Sequence, residues 1–73
     1  MTPLDMRGTL CPLPVIELAR HIGDVAVGET LTVLADDPAA ASDIPAWCRM
    51  RGHDFLGATA GPDGTAYEVR RLH

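Results

Sequence analysis

The chain has 73 residues, 47% of them hydrophobic and 22% charged, with ten acidic residues against six arginines and no lysine, for a net charge of −4. That length predicts one domain, residues 1–73, with a small core, because a chain this short buries only about 60% of the surface it exposes when unfolded. The acidic balance argues against direct nucleic-acid binding, which needs several cations to displace phosphate counterions, and no apolar run approaches the ~18 residues that would insert in a membrane.

In chain order, Met1-Thr2-Pro3-Leu4-Asp5 lacks a basic stretch followed by an apolar one, so no secretion signal is expected and the default location is cytoplasmic. Leu4 and Met6 alternate with Asp5 and Arg7, a short strand ended by Gly8. Cys11-Pro12 then opens a helix, since proline is favoured at the first helical position, and Gly23 supplies the stop. Val15, Leu18, Ala19 and Ile22 form its apolar stripe, with Glu17 and Arg20 off it. Residues 30–35 read as a strand in which Leu31, Val33 and Ala35 alternate with Thr30, Thr32 and Leu34. Asp36-Asp37-Pro38 reads as a turn or helix start.

The next helix runs to Gly52 and carries Ile44, Trp47, Cys48 and Arg51 on its stripe. Pro45 is tolerated only near a helix start, so regular helix is expected from Ser42 or Asp43 after an irregular first turn. Finally, residues 54–60 and 65–72 flank Gly61-Pro62-Asp63-Gly64, a hairpin turn by composition. The predicted order is β-α-β-α-β-β. Each helix has one apolar stripe to bury, which predicts a two-layer α/β (α+β) sandwich with two helices on one face of a mixed four-stranded sheet. The first β-α-β unit should be parallel with a right-handed crossover and the last two strands antiparallel.

Two cysteines are too few for a disulfide scaffold or a four-ligand zinc site, and no glycine cluster precedes a helix to form a phosphate loop. Neither metal nor cofactor is expected. Cys48 falls on an apolar stripe beside Ile44 and Trp47 and reads as an inert core thiol. Cys11 falls at or just before a helix N-terminus, where cysteine is a poor cap and the positive helix end lowers a thiol pKa. Pro12 and Pro14 lack N–H groups, so only the amides of Cys11, Leu13 and Val15 could face an anion. The segment Cys11, Pro12, Leu13, Pro14, Val15 is thus the candidate site, a stiff platform that displays sulfur, and the expected Cys11 pKa is moderately depressed. His21 is ten residues along the helix, about 15 Å from Cys11 by helical rise, so it is too far to serve as base. His53 reads as a cap or solvated residue, and His73, at the chain end, as mobile.

Leu4-Asp5, Gly8, Cys11-Pro12-Leu13-Pro14, Gly28-Glu29, Ala35-Asp36-Asp37-Pro38, Asp43-Ile44-Pro45, Trp47-Cys48 and Gly52-His53 together resemble the TusA (SirA-like) family of sulfur-carrier proteins over nearly the whole chain. The resemblance implies the same β-α-β-α-β-β sandwich and a persulfide on Cys11, the cysteine of the Cys-Pro-x-Pro motif. It implies a cysteine desulfurase or a rhodanese-like protein as sulfur donor, and a DsrE-like protein as acceptor. Such a relay serves tRNA thiolation, cofactor biosynthesis or sulfur oxidation, and the chain would be a carrier more than a stand-alone sulfurtransferase enzyme. The chain departs from members with lysines along the first helix, offering only Arg20 and His21 against Glu17. Two other readings of the residues are a small thiol enzyme acting on thiosulfate or peroxide, which needs a resolving thiol or base near Cys11, and a regulatory interaction module with an idle cysteine.

Overall fold

The computed structural model describes residues 3–73; Met1 and Thr2, part of the segment read above for a leader, lie outside them. Its elements are β1 (Leu4–Asp5), α1 (Leu13–His21) continued by a 3₁₀ turn (Ile22–Asp24), β2 (Thr30–Ala35), α2 (Ala40–Arg51), β3 (Asp54–Gly61) and β4 (Gly64–Arg70). The four strands form one sheet in the order β1-β2-β4-β3. β1 is parallel to β2, with Leu4 opposite Val33, and β4 pairs antiparallel with both β2 and β3. This is the mixed sheet and element order expected from the sequence.

The alternation in β2 does what its period requires: Leu31, Val33 and Ala35 are buried. They meet Tyr67 and Val69 of β4 and, from the helices, Leu18, Ala40, Ile44, Trp47 and Cys48, in a single core cluster. Burying side chains of the size of Leu18, Leu31 and Ile44 stabilises the fold by roughly 1.5–3 kcal/mol each, so a core this small depends on every member.

Three local expectations need correction. Pro12 is the N-cap of α1 and not its first residue; Pro14 is the proline of the first turn, and it is buried while Ala19 of the expected stripe is exposed. α1 ends at His21 with Ile22 as its C-cap, just before Gly23 as expected, but Gly23 does not end the helical course of the chain, since it lies inside the 3₁₀ turn Ile22–Asp24. α2 begins at Ala40, ahead of the expected Ser42 or Asp43, and holds Pro45 inside it. The irregular first turn is nevertheless there: the amides of Ala41 and Ser42 bond three residues back, to Pro38 and Ala39, before Asp43 makes the first bond four residues back. α2 ends as a helix should, on Gly52 at φ 74°, a left-handed conformation that glycine adopts without a Cβ clash.

Parallel pairing of β1 with β2 has one consequence for the site. The loops that leave the two strands, residues 6–12 and 36–39, emerge side by side at the same end of the sheet.

Candidate functional site

The loop after β1 is held by the loop after β2. Gly8 N–H donates to both carboxylate oxygens of Asp36, at 3.0 and 3.1 Å, and Cys11 N–H donates to Asp37 Oδ2 at 2.6 Å. Asp37 Oδ1 accepts the Ala39 N–H at 3.1 Å, so one carboxylate ties the cysteine loop to the entry of α2. Leu13 N–H is taken by the Leu10 carbonyl at 2.9 Å. Of the three amides expected to face an anion, those of Cys11 and Leu13 are therefore already committed. The Cys11–Pro12 peptide bond is cis.

Of the predicted site residues, Cys11, Pro12 and Leu13 are exposed, Val15 is half-buried and Pro14 is buried in the helix foot. Cys11 opens onto a shallow groove of about 310 Å³ whose apolar wall includes Pro12, Val15, Trp47 and Met50. Asp43, from the first turn of α2, reaches the same groove and accepts the Cys11 Sγ–H at 2.8 Å through Oδ2. This pair reverses the expected electrostatics. The Cys11 pKa is raised, first by the hydrogen bond to Asp43, then by partial desolvation and the negative charges of Asp43 and Asp37. A full charge at hydrogen-bond distance outweighs the roughly half elementary charge of a helix end. The platform displays a thiol, not a depressed-pKa thiolate.

Asp43 and Asp37 are the site residues that the local sequence did not reveal; Asp36-Asp37-Pro38 read as a turn or helix start, which Asp37 does serve at the entry of α2, but not as a partner of Cys11. The available signal was topological, since parallel β1 and β2 must place their following loops together.

Cys48 behaves as a core thiol: it is 1% exposed, and burial pushes its pKa up. Both cysteines are free thiols, and no disulfide joins them. The histidines lie elsewhere. His21 bridges Glu17 (3.2 Å) and Asp24 (2.7 Å). His53 caps α2 through its backbone, its N–H donating to the Cys48 carbonyl at 3.0 Å, but its ring is not free in solvent. It is stacked between Trp47 (centroids 5.4 Å) and His73 (4.6 Å), and its Nδ1 accepts the Leu72 N–H at 3.1 Å, which leaves its proton on Nε2. Burial, then His73 and Arg71, lower its pKa. His73 is held by that stack and by its Nε2–H, which donates to the Arg51 carbonyl at 2.8 Å. These rings border a second cavity of about 210 Å³, and Trp47 is a wall of both. Among the described residues no three His, Cys, Asp or Glu side chains are grouped to hold a metal ion.

The family described as "Sulfurtransferase TusA" matches residues 2–71. The chain belongs to the TusA family. Among curated members it is 35% identical over 72 residues to the "Putative sulfur carrier protein" of Archaeoglobus fulgidus, covering 99% of both chains. It is 38% identical over 68 residues to the "Sulfur carrier protein TusA" of Pseudomonas entomophila, covering 93% of this chain and 85% of that one. In three dimensions it superposes on the crystal structure of a SirA-like protein from Desulfitobacterium hafniense with a TM-score of 0.78 at 21% identity, over 96% and 95% of the two chains. The two chains thus share a fold at an identity where sequence alone is a weak guide. No helix among the described residues is long and apolar enough to cross a membrane.

Proposed function

We propose that this TusA-family chain, acting as a single unit over residues 1–73, is a sulfur carrier whose Cys11 accepts sulfane sulfur as a persulfide and passes it to a partner. The observation that carries the reading is the contrast between two free cysteines: Cys11 is exposed on a clamped loop beside an apolar groove, whereas Cys48 is buried. A thiol meant for exchange with other proteins must be reachable, and Cys11 is.

The exchange balances without a co-reactant. Cys11 sulfur attacks the outer sulfur of a donor persulfide, R–S–SH; the new Cys11–S bond forms as the donor S–S bond breaks, and the Cys11 proton ends on the departing thiol, R–SH. A cysteine desulfurase or a rhodanese-like protein fits the donor role and a DsrE-like protein the acceptor role. Which acceptor docks then decides between tRNA thiolation, cofactor biosynthesis and sulfur oxidation. The cytoplasm, where thiols stay reduced, suits the work.

Incubation with a cysteine desulfurase and cysteine tests the reading by intact-mass spectrometry. The mass of one sulfur atom should appear on the wild type and on Cys48→Ala, and be absent from Cys11→Ser. Sulfur found on Cys48, or none on a folded wild type, would overturn it.

A further inference from the structure

Six of the ten acidic residues, Asp43 and Asp37 among them, have no ion pair among the described residues; these two are set apart because they act on the Cys11 sulfur. Asp5, Glu17, Asp24 and Asp54 each have an arginine or histidine within ion-pair distance. Asp36, the next carboxylate along, lies within reach of the Arg7 charge. Apart from Cys11 and Asp43, the groove is lined by uncharged side chains. The surface around it offers apolar contact through Leu10 (72% exposed), Leu13 (45%) and Met50 (79%).

We infer that Asp43 is a catalytic and specificity-determining residue for Cys11: its carboxylate holds the thiol proton in the free protein, and with Asp37 it selects partners that bring a cation beside their reactive sulfur. This rests on Cys11 being the sulfur-bearing residue. An isolated chain keeps its sulfur as a hydrogen-bonded thiol, poorly reactive toward stray electrophiles, because thiolate beside two carboxylates is disfavoured. A lysine or arginine of a docking protein offsets that charge, and thiolate forms only against the sulfur it is meant to attack. The proton released from Sγ ends on the thiolate expelled from the donor. The fitting partner is a protein with an apolar contact surface, a cysteine persulfide and a basic side chain next to it. An acidic partner meets like charge at the reacting atom.

Small disulfides of defined charge test this on the intact protein, in a Cys48→Ala background. The probes are cystamine (cationic), 2-hydroxyethyl disulfide (neutral) and 3,3′-dithiodipropionate (anionic); Cys11 attacks one sulfur and expels the other half as a thiol. At low salt the rate should fall in that order, cation over anion by roughly fivefold or more, and the spread should shrink at high ionic strength. Asp43→Asn should remove most of the spread and also raise the rate of alkylation by neutral iodoacetamide below the thiol pKa. Asp43→Glu should restore both. A cation-to-anion ratio near one in the wild type, or one that Asp43→Asn leaves unchanged, overturns the proposal. Should Asp43→Asn fail to fold, the salt dependence of the wild-type ratio decides alone. Sulfur loading by a desulfurase is scored separately, so loss of the carrier reading and loss of charge selection are distinct results.

Discussion

Cys11 N–H donates to Asp37 Oδ2 at 2.6 Å across 26 residues of chain. Through its other oxygen Asp37 also takes the Ala39 amide just before α2. One side chain therefore sets both the position of the Cys11 loop and the entry of the second helix. Asp37→Ala removes two acceptors at once. By analogy with capping losses it should cost about 1 kcal/mol, read as a lower denaturant midpoint with unchanged slope. The Cys11 amide should exchange faster with solvent. A midpoint loss without faster Cys11 exchange would mean that the clamp on the loop is not real.

The His53 stack makes a pH prediction whose sign follows from its lowered pKa. In the unfolded chain an imidazole takes its proton near its ordinary value of about 6.5. In the fold, burial and the nearby His73 and Arg71 make that proton harder to bind. The unfolded state then holds more protons, so the contribution is fully present above about pH 6.5 and is lost as pH falls. Thermal stability should drop as pH falls below about 6.5, and His53→Gln should flatten that drop. Trp47 is the only tryptophan, so its emission reports the same event directly. An identical pH slope in His53→Gln would remove the stack as the cause.

Cys48 lies in the core at 1% exposure among Leu18, Ile44 and Trp47. Cys48→Ala leaves a small void and should cost about 1 kcal/mol. Cys48→Ser buries a hydroxyl in an apolar core and should cost more, roughly 1–3 kcal/mol. Both losses belong to chemical denaturation, and neither variant should lose reaction at Cys11. Equal stability of Ser and Ala would show that the site admits water or a partner for the hydroxyl.

Much of this architecture was legible because it rests on local periodicity. The alternation at Leu31, Val33 and Ala35 and the burial of Cys48 on its helix stripe needed no knowledge of the rest of the chain. What local reading missed is contributed from a distance. Asp43 reaches Cys11 from 32 residues away, and its charge outweighs the helix end that sequence position alone put beside the sulfur. His53 read as a cap or solvated residue at a helix end, and its stack was not legible because neither its partner Trp47 on α2 nor the return of residues 72–73 after β4 announces itself in sequence. The lesson is specific. A reactive cysteine after β1 must be read with the loop after whichever strand lies parallel to it, here Ala35-Asp36-Asp37-Pro38.

Pro45 gives the last prediction. Inside α2 it has no N–H for the Ala41 carbonyl, and its ring crowds that turn. The bonds from Ala41 and Ser42 reach back only three residues, to Pro38 and Ala39, so the tightening lies in the turn just before the proline. Pro45→Ala restores the donor and relaxes that crowding, a gain set against the ~3 kcal/mol interior proline penalty. The gain is offset by ~1 kcal/mol from the freer unfolded chain and by lost packing of a half-buried ring. The expected net effect is a stabilisation of roughly 1 kcal/mol, seen as a rise in Tm. Asp43 lies in the turn that relaxes, so its reach to Cys11 should loosen, and the variant should alkylate faster at Cys11 near neutral pH. A variant that is more stable yet alkylates at the wild-type rate would show that the proline has no part in aiming Asp43 at the sulfur.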